Sequence, residues 1–379
     1  MHDISLGRIP AIAGAPGAAR DLGTHVADLT SSRRSFILLD PALDSAERRA
    51  ELIERLGESG IAASLFVLPP GEPKEVTVEA AADQARTFDA GSVIAIGGGS
   101  TMDAGKLVAS LIAATERVSV YRLAATPLPK GRLPLICVPT TAGTGAEATA
   151  VSVLSAPDGI KYWFWADGLK PDLIVHDPAL ALGLPAAVTA ATGVDALVHA
   201  IEASTNANAT ATNNIFAYRA IALVAEYLPV AFATPADLEA RARLLEAATL
   251  AGIAIDNAGT AIAHNIGHAL GSLAPVPHGR AVAIGMCATL AWNVESHPDV
   301  YAPVAVAMGI AGGASELPAA FLRFVRDVGI DLHVRDVQAE ALAKQMAQPE
   351  NAAMLASNRR AATPDDLLRH AEAALALAN

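Results

Sequence analysis

The stretch "AIAHNIGHALGSLAPVPHGRAVAIGM", residues 261–286, holds three of the chain's ten histidines among apolar residues and glycine. Imidazole is costly to bury unless its nitrogens find partners. His264 and His268 stand four residues apart, the spacing that puts two side chains on one helix face, and His278 follows a proline-bounded turn. Asp195 and His199 repeat that spacing in "TGVDALVHAIEA". The Asp–His pair alone could simply be an internal hydrogen bond. Together, one carboxylate and up to four imidazoles exceed what a core buries for packing, and a divalent metal is the economical explanation. Such oxygen and nitrogen ligands suit Fe(II), Zn(II), Co(II) or Mn(II). Spacing does not say which histidine stays outside the ligand set.

Two glycine-bearing turns offer a place for phosphates. "AIGGGSTMDAGK" (95–106) follows a strand and opens a helix, so that backbone N–H groups and the helix dipole face a pyrophosphate. It is neither a G-x-G-x-x-G nor a Walker loop. "PTTAGTGAEAT" (139–149) also follows a strand and is dense in hydroxyls. Each turn alone is as readily structural as functional. Two of them at strand ends point to a nucleotide cleft. Asp40 closes the strand in "FILLDPAL", where residue type alone favours a plain Asp-Pro turn; beside the two loops, a carboxylate there can accept from ribose hydroxyls and repel a 2′-phosphate, which predicts NAD rather than NADP.

The elements that must position these groups fall into two grammars. "SFILLD" (35–40), "ASLFVLP" (63–69), "SVIAIGGG" (92–99), "LPLICVPTT" (133–141) and "DLIVHDP" (172–178) read as strands, with helical periodicity between the first of them. That alternation predicts an α/β domain with a parallel, Rossmann-like sheet and helices on both faces. From Leu182 onward, alanine- and leucine-rich helical segments follow one another to the end. The predicted domains are a dinucleotide-binding α/β domain, 1–181, and an all-helical metal-binding and catalytic domain, 182–379.

At 379 residues the chain is too long for one ordinary core, which agrees with two domains. Its net charge of -12 argues against nucleic-acid or anionic-membrane partners. The start, "MHDISLGRIPAIAGAPGAAR", lacks the pattern of a secretory signal, and runs such as "YAPVAVAMGIAGGAS" are interrupted short of a membrane span. Cys137 and Cys287 lie far apart in apolar surroundings, which predicts no disulfide framework and a cytoplasmic location.

The motifs "GGGSTMDAGK", "PTTAGTGAEAT", "GVDALVHAIEA" and "AIAHNIGHALG…PVPHG", in that order, with the later "SNRRAATPDDLLRHAEAAL", resemble the iron-containing (group III) metal-dependent alcohol dehydrogenase family. Its fold is shared by glycerol dehydrogenase and dehydroquinate synthase. The resemblance implies an NAD- and metal-dependent oxidoreductase that interconverts a small alcohol and its aldehyde or ketone by hydride transfer. The metal, Fe(II) before Zn(II), would polarise the substrate oxygen. By the same resemblance Asp195, His199, His264 and His278 bind the metal, and His268 stands beside nicotinamide and substrate as the proton relay. Gly98, Gly99 and Ser100 match the pyrophosphate loop, with Asp103 of the same motif as a further cofactor residue. Thr140, Thr141, Thr144 and Thr149 match positions lining the dinucleotide, with Val151 close by. Asp40 matches an NAD-selecting acid and Lys161 a lysine at the nicotinamide ribose. A homodimer or larger assembly is implied too.

The chain departs from the family pattern at Ala146, where serine is frequent, and at "PPGEPKE" (69–75), where Asn-Pro is frequent. Trp163 and Trp165 beside Lys161 read first as hairpin packing and second as one wall of the cofactor or substrate entrance. Maleylacetate-reductase-like chemistry is one alternative. A dehydroquinate-synthase-like lyase is another, disfavoured because the metal-proximal stretches carry few cations other than Arg280. A non-catalytic binding protein would have lost ligands or cofactor loops, and neither is missing.

Overall fold

The computed structural model describes residues 6–377, so the first five residues of the opening stretch and the outer ends of both predicted domains lie outside it. The described chain divides into two compact units. One comprises Arg8–Thr141 and Ala146–Ala181; the other includes Ala142–Gly145 and everything described from Leu182 onward.

The first unit is built on strands β1 (Ala11–Gly14), β2 (Arg34–Leu39), β3 (Ala62–Val67), β4 (Ser92–Gly97), β5 (Leu135–Pro139) and β8 (Leu173–His176). They pair in parallel in the order β1-β8-β5-β4-β2-β3. Alternation along the strands supplies two cores. Phe36, Leu38, Val93 and Leu135 pack with α3 (Glu75–Thr87) and α4 (Gly99–Leu111), while Ile37, Leu39, Ile94 and Ile136 pack with α1 (Leu22–Leu29) and α2 (Ala46–Glu58). Strands buried on both faces read as unbroken apolar runs, which is why the inner ones were legible. Strand β1 was not. It is an exposed edge strand of sequence AIAG, with no β-branched run to announce it.

Register sets the functional end of the sheet. Leu39 pairs with Ile96 and Gly97 with Pro139, so β2, β4 and β5 finish level. The residues that leave those ends, Asp40, Gly98–Thr101 and Thr140–Thr141, are thereby neighbours. A hairpin of β6 (Val151–Ser155) and β7 (Lys161–Trp165) completes the unit.

The second unit contains helices α5 (Ala186–Thr205), α6 (Ala211–Ala233), α7 (Leu238–Ala258), α8 (Ile262–Leu273) and α9 (His278–Ser296), followed by α10 (Pro298–Ala307), α11 (Leu317–Asp327), α12 (Ala339–Met346), α13 (Ala352–Ser357) and α14 (Pro364–Leu375). By length and composition α6 is apolar enough to cross a bilayer. Here its Ala217, Ile221, Val224 and Leu228 are buried in the helical core with α5 and α7. Ala142–Gly145, which the sequence reading put with the sheet, packs among these helices. Gly145 has φ +60°, and a Cβ on it would lie 2.5 Å from the Gly252 Cα in α7. Only glycine permits both that conformation and that approach.

Candidate functional site

The face of α5 that carries Asp195 also carries His199 one turn on, and both are buried. Helix α8 brings His264 in its first turn, and α9 begins at His278. Glycine closes the last gap: a Cβ on Gly279 would lie 2.1 Å from the Ala191 carbonyl oxygen, so α9 presses this closely against α5 there because that residue has no side chain. The Nε2 atoms of His264 and His278 consequently each stand 3.5 Å from Asp195 Oδ1, and His199 Nδ1 stands 3.9 Å from it. The rings of His199 and His264 stack at 4.3 Å.

Asp195, His199 and His264 each offer a ligand atom within 4.8 Å of the others. Asp195 Oδ1, His199 Nδ1 and His264 Nε2 are buried and have no hydrogen-bond partner. Three convergent orphaned atoms of this kind are expensive unless a cation satisfies them. At 3.5 Å the contact from His264 Nε2 to Asp195 is electrostatic rather than a formed hydrogen bond. His278 lies on the rim of this trio, with its side chain 29% exposed. The donor set of one carboxylate and imidazoles fits a divalent first-row metal.

The electrostatics agree. Burial drives His199 down to about 3 against the pull of Asp195, which favours its neutral form. Burial would raise Asp195, but the imidazoles of His199, His278 and His264 hold it well below the usual carboxylate range. Burial also opposes charge on His264, yet Glu202 and Asp195 outweigh it and lift His264 to about 9. Without a metal, His264 therefore favours its protonated form between Asp195 and Glu202. A cation held by these groups would take the place of that proton.

His268, one turn beyond His264, is half-buried, and its ring meets that of His278 edge-on at 5.4 Å. Arg280, the cation next to His278 in sequence, is already engaged: its guanidinium pairs with Asp331 at 2.7 Å and donates to the His333 carbonyl.

In the first unit, Asp40 Oδ1 accepts from Ala42 N at 2.9 Å, and Oδ2 lies 3.4 Å from both Gly98 N and Thr101 Oγ1. It caps its turn and also lines a cavity of about 650 Å³ with Ser100, Thr101, Glu72 and Lys74. The neighbouring Gly97 escaped the sequence reading, although a Cβ there would lie 2.6 Å from the Asp40 Cβ. Gly98 similarly leaves room for the Thr141 side chain, and Gly99 is the first residue of α4. Thr140 continues the ladder through its N–H to the Gly97 carbonyl, and Thr144 lies in the segment that packs with the helices.

Asp103 takes a different place from the cavity-lining residues. Its carboxylate accepts from Val153 N at 3.0 Å and pairs with Lys106 at 3.3 Å. Lys106 is fully buried, with Nζ donating to the Val151 carbonyl at 2.6 Å and to Thr149 Oγ1 at 3.1 Å. Asp103, Thr149 and Val151 thus meet at one buried ammonium that ties α4 to the hairpin. Lys106 went unremarked in the sequence, where its signal was a lone cation on an apolar helix. Lys161 pairs with Glu72 at 2.8 Å, and by strand alternation it shares one face of β7 with Trp163 and Trp165. Trp165 is 52% exposed, whereas Phe164 on the other face is buried. Glu202 was missed as well: its Oε2 stands 2.6 Å from His264 Nδ1.

Comparison with known proteins follows the same division. The profile of the family described as "Iron-containing alcohol dehydrogenase" matches residues 10–178, and that of "Fe-containing alcohol dehydrogenase family, C-terminal" matches residues 189–375. A Salmonella typhimurium protein named "Probable alcohol dehydrogenase EutG" is 39% identical over 68% of this chain and 65% of its own length. The NAD-dependent methanol dehydrogenase of Bacillus methanolicus is 29% identical over 93% of this chain and 94% of that protein. The crystal structure of a 1,3-propanediol oxidoreductase superposes with a TM-score of 0.89 at 30% identity, covering 99% of this chain and 100% of that one.

Proposed function

The chain belongs to the iron-containing alcohol dehydrogenase family, NAD- and metal-dependent oxidoreductases that interconvert alcohols with aldehydes or ketones, and we propose that its substrate is a small, uncharged alcohol. The engagement of Arg280 by Asp331 and His333 carries that choice, because the cation nearest the histidines in sequence is already committed. The relatives named for methanol and 1,3-propanediol act on molecules of this kind.

Asp195, His199, His264 and His278 hold the metal in this reading, supported by the orphaned Asp195, His199 and His264 atoms converging on one point. When bound, the metal supplies a Lewis acid for the substrate oxygen, and NAD supplies the hydride acceptor. His268 accepts the proton released on oxidation and returns it on reduction, a task suited to an imidazole. Asp40 selects NAD by accepting from the ribose hydroxyls, alongside Gly98, Gly99, Ser100, Thr140 and Thr141 in the cleft. Asp103, Thr149 and Val151 brace that cleft through Lys106. Lys161 reaches the nicotinamide ribose, and Thr144 faces the dinucleotide. The boundary between the two functional domains lies at 181/182. Two free thiols support a cytoplasmic location. Exposed Ile215 and Val306 are apolar surface available for a homodimer or larger assembly.

The test is an anaerobic assay on chelated protein, with short aldehydes and their carboxylated or sulfonated analogues. NADH and NADPH are each supplied, before and after Fe(II) or Zn(II). Metal-dependent oxidation of NADH in preference to NADPH, with neutral aldehydes favoured, is the expected result. Preference for an anionic substrate would overturn the Arg280 argument, and equal use of NADPH would remove the role of Asp40.

A further inference from the structure

Glu202 has no part in the chemistry just described, yet it is a buried carboxylate one turn beyond His199 and two beyond Asp195 on α5. Oε2 lies 2.6 Å from His264 Nδ1 and accepts from Ala261 N at 2.8 Å, and Oε1 accepts from Ala263 N at 2.7 Å. Helix α8 has no side-chain cap from its own N-cap residue. Two backbone N–H groups at that end, of Ala261 and Ala263, are satisfied from α5 instead. We propose that Glu202 is a positioning residue that holds the proton of His264 on Nδ1, so that Nε2 is the atom presented to the metal.

The donor set makes a carboxylate necessary. Ala261 and Ala263 present N–H donors, and a carboxylate offers two oxygens with no proton of its own, so the 2.6 Å contact requires His264 Nδ1 to donate. Glutamine would offer one acceptor and turn its NH₂ towards a donor. Charge-assisted bonds are short and directional, so the ring is fixed in plane as well as in tautomer. Nε2 is left buried without a hydrogen-bond partner, 3.5 Å from Asp195 Oδ1. A carboxylate behind a ligating imidazole also raises its basicity, and loss of such a partner typically costs roughly 10–100-fold in metal affinity.

The inference rests on the metal-site reading above, and the experiment separates the two. Chelated full-length wild type, E202Q, E202D and H264A are titrated with Zn(II) against a competing chromophoric chelator. NAD affinity and metal-free melting are measured in parallel. We expect E202Q to bind zinc roughly 10–100-fold more weakly with NAD affinity unchanged, and E202D to recover part of the loss. Wild-type affinity in E202Q overturns the proposal. If E202Q does not fold, ¹⁵N-histidine spectra of the zinc-loaded wild type decide. Protonated Nδ1 with Nε2 as ligand supports it, and ligation through Nδ1 overturns it. Undiminished zinc binding by H264A would instead remove the metal-site reading on which it stands.

Discussion

At the scale of residues, the chemistry of this protein depends on which atoms are left unsatisfied. Glu202 engages His264 through Nδ1, while His264 Nε2 and His199 Nδ1 turn towards Asp195. His268 shares the helix face of His264 but lies outside that trio, beside His278. H268A should therefore lower turnover by roughly 10²-fold while leaving zinc affinity intact. Steady-state kinetics with a metal titration read both quantities, and retained turnover would exclude His268 as the relay. The histidines themselves were legible from their i, i+4 spacing. Glu202 was within the quoted motif, seven residues after Asp195, but its function depends on α8 arriving overhead, and no local pattern records that.

At the scale of elements, small residues and buried ions decide how closely backbones meet. Gly279 sets the approach of α9 to α5, with the Asp195 Cβ only 3.3 Å from where its own Cβ would be. G279A should destabilise the protein by about 1–3 kcal/mol and weaken metal binding, because α9 must withdraw and carry His278 with it. Denaturant melts and the zinc titration test this, and an unaltered affinity would dissociate the packing from the site. In the sheet, Asp172 pairs with Arg132 through contacts of 2.7 and 2.9 Å and accepts from Leu135 N at 2.8 Å. Burial would raise its carboxyl, but Arg132 and that N–H outweigh it and hold it below its ordinary value. A depressed folded value contributes stability above the unfolded value of about 3.9 and loses it as pH falls through the folded one. D172N should thus cost about 1–2 kcal/mol at neutral pH, a difference that shrinks on acidification below pH 4. Urea melts of both proteins at neutral and acid pH measure it. A pH-independent difference would assign the effect to packing.

At the scale of the whole molecule, the chain comprises two units with separate cores, one carrying the glycine-bearing loops and the other the four histidines around Asp195. A ligand that binds only the folded state stabilises it by mass action. Chelation should lower the melting temperature of the helical unit, and saturating metal at a hundredfold excess over its Kd should restore about 2.7 kcal/mol. NAD should act on the transition of the α/β unit instead. Calorimetry with each ligand separately tests the assignment, and a metal-induced shift confined to the α/β transition would contradict it.

The sequence by itself determined the family, the alternation that makes a parallel sheet, the helical character beyond Leu182 and the residue types around the metal. Those features are local: they depend on period, spacing and turn chemistry within a few residues. Tertiary structure decided the rest. It placed Ala142–Gly145 among the helices, sank Lys106 beneath the cleft, made Asp103 a brace, and set Glu202 behind His264. Each of these joins residues distant along the chain, and their partners are fixed by register and close backbone approach, which no window of sequence contains.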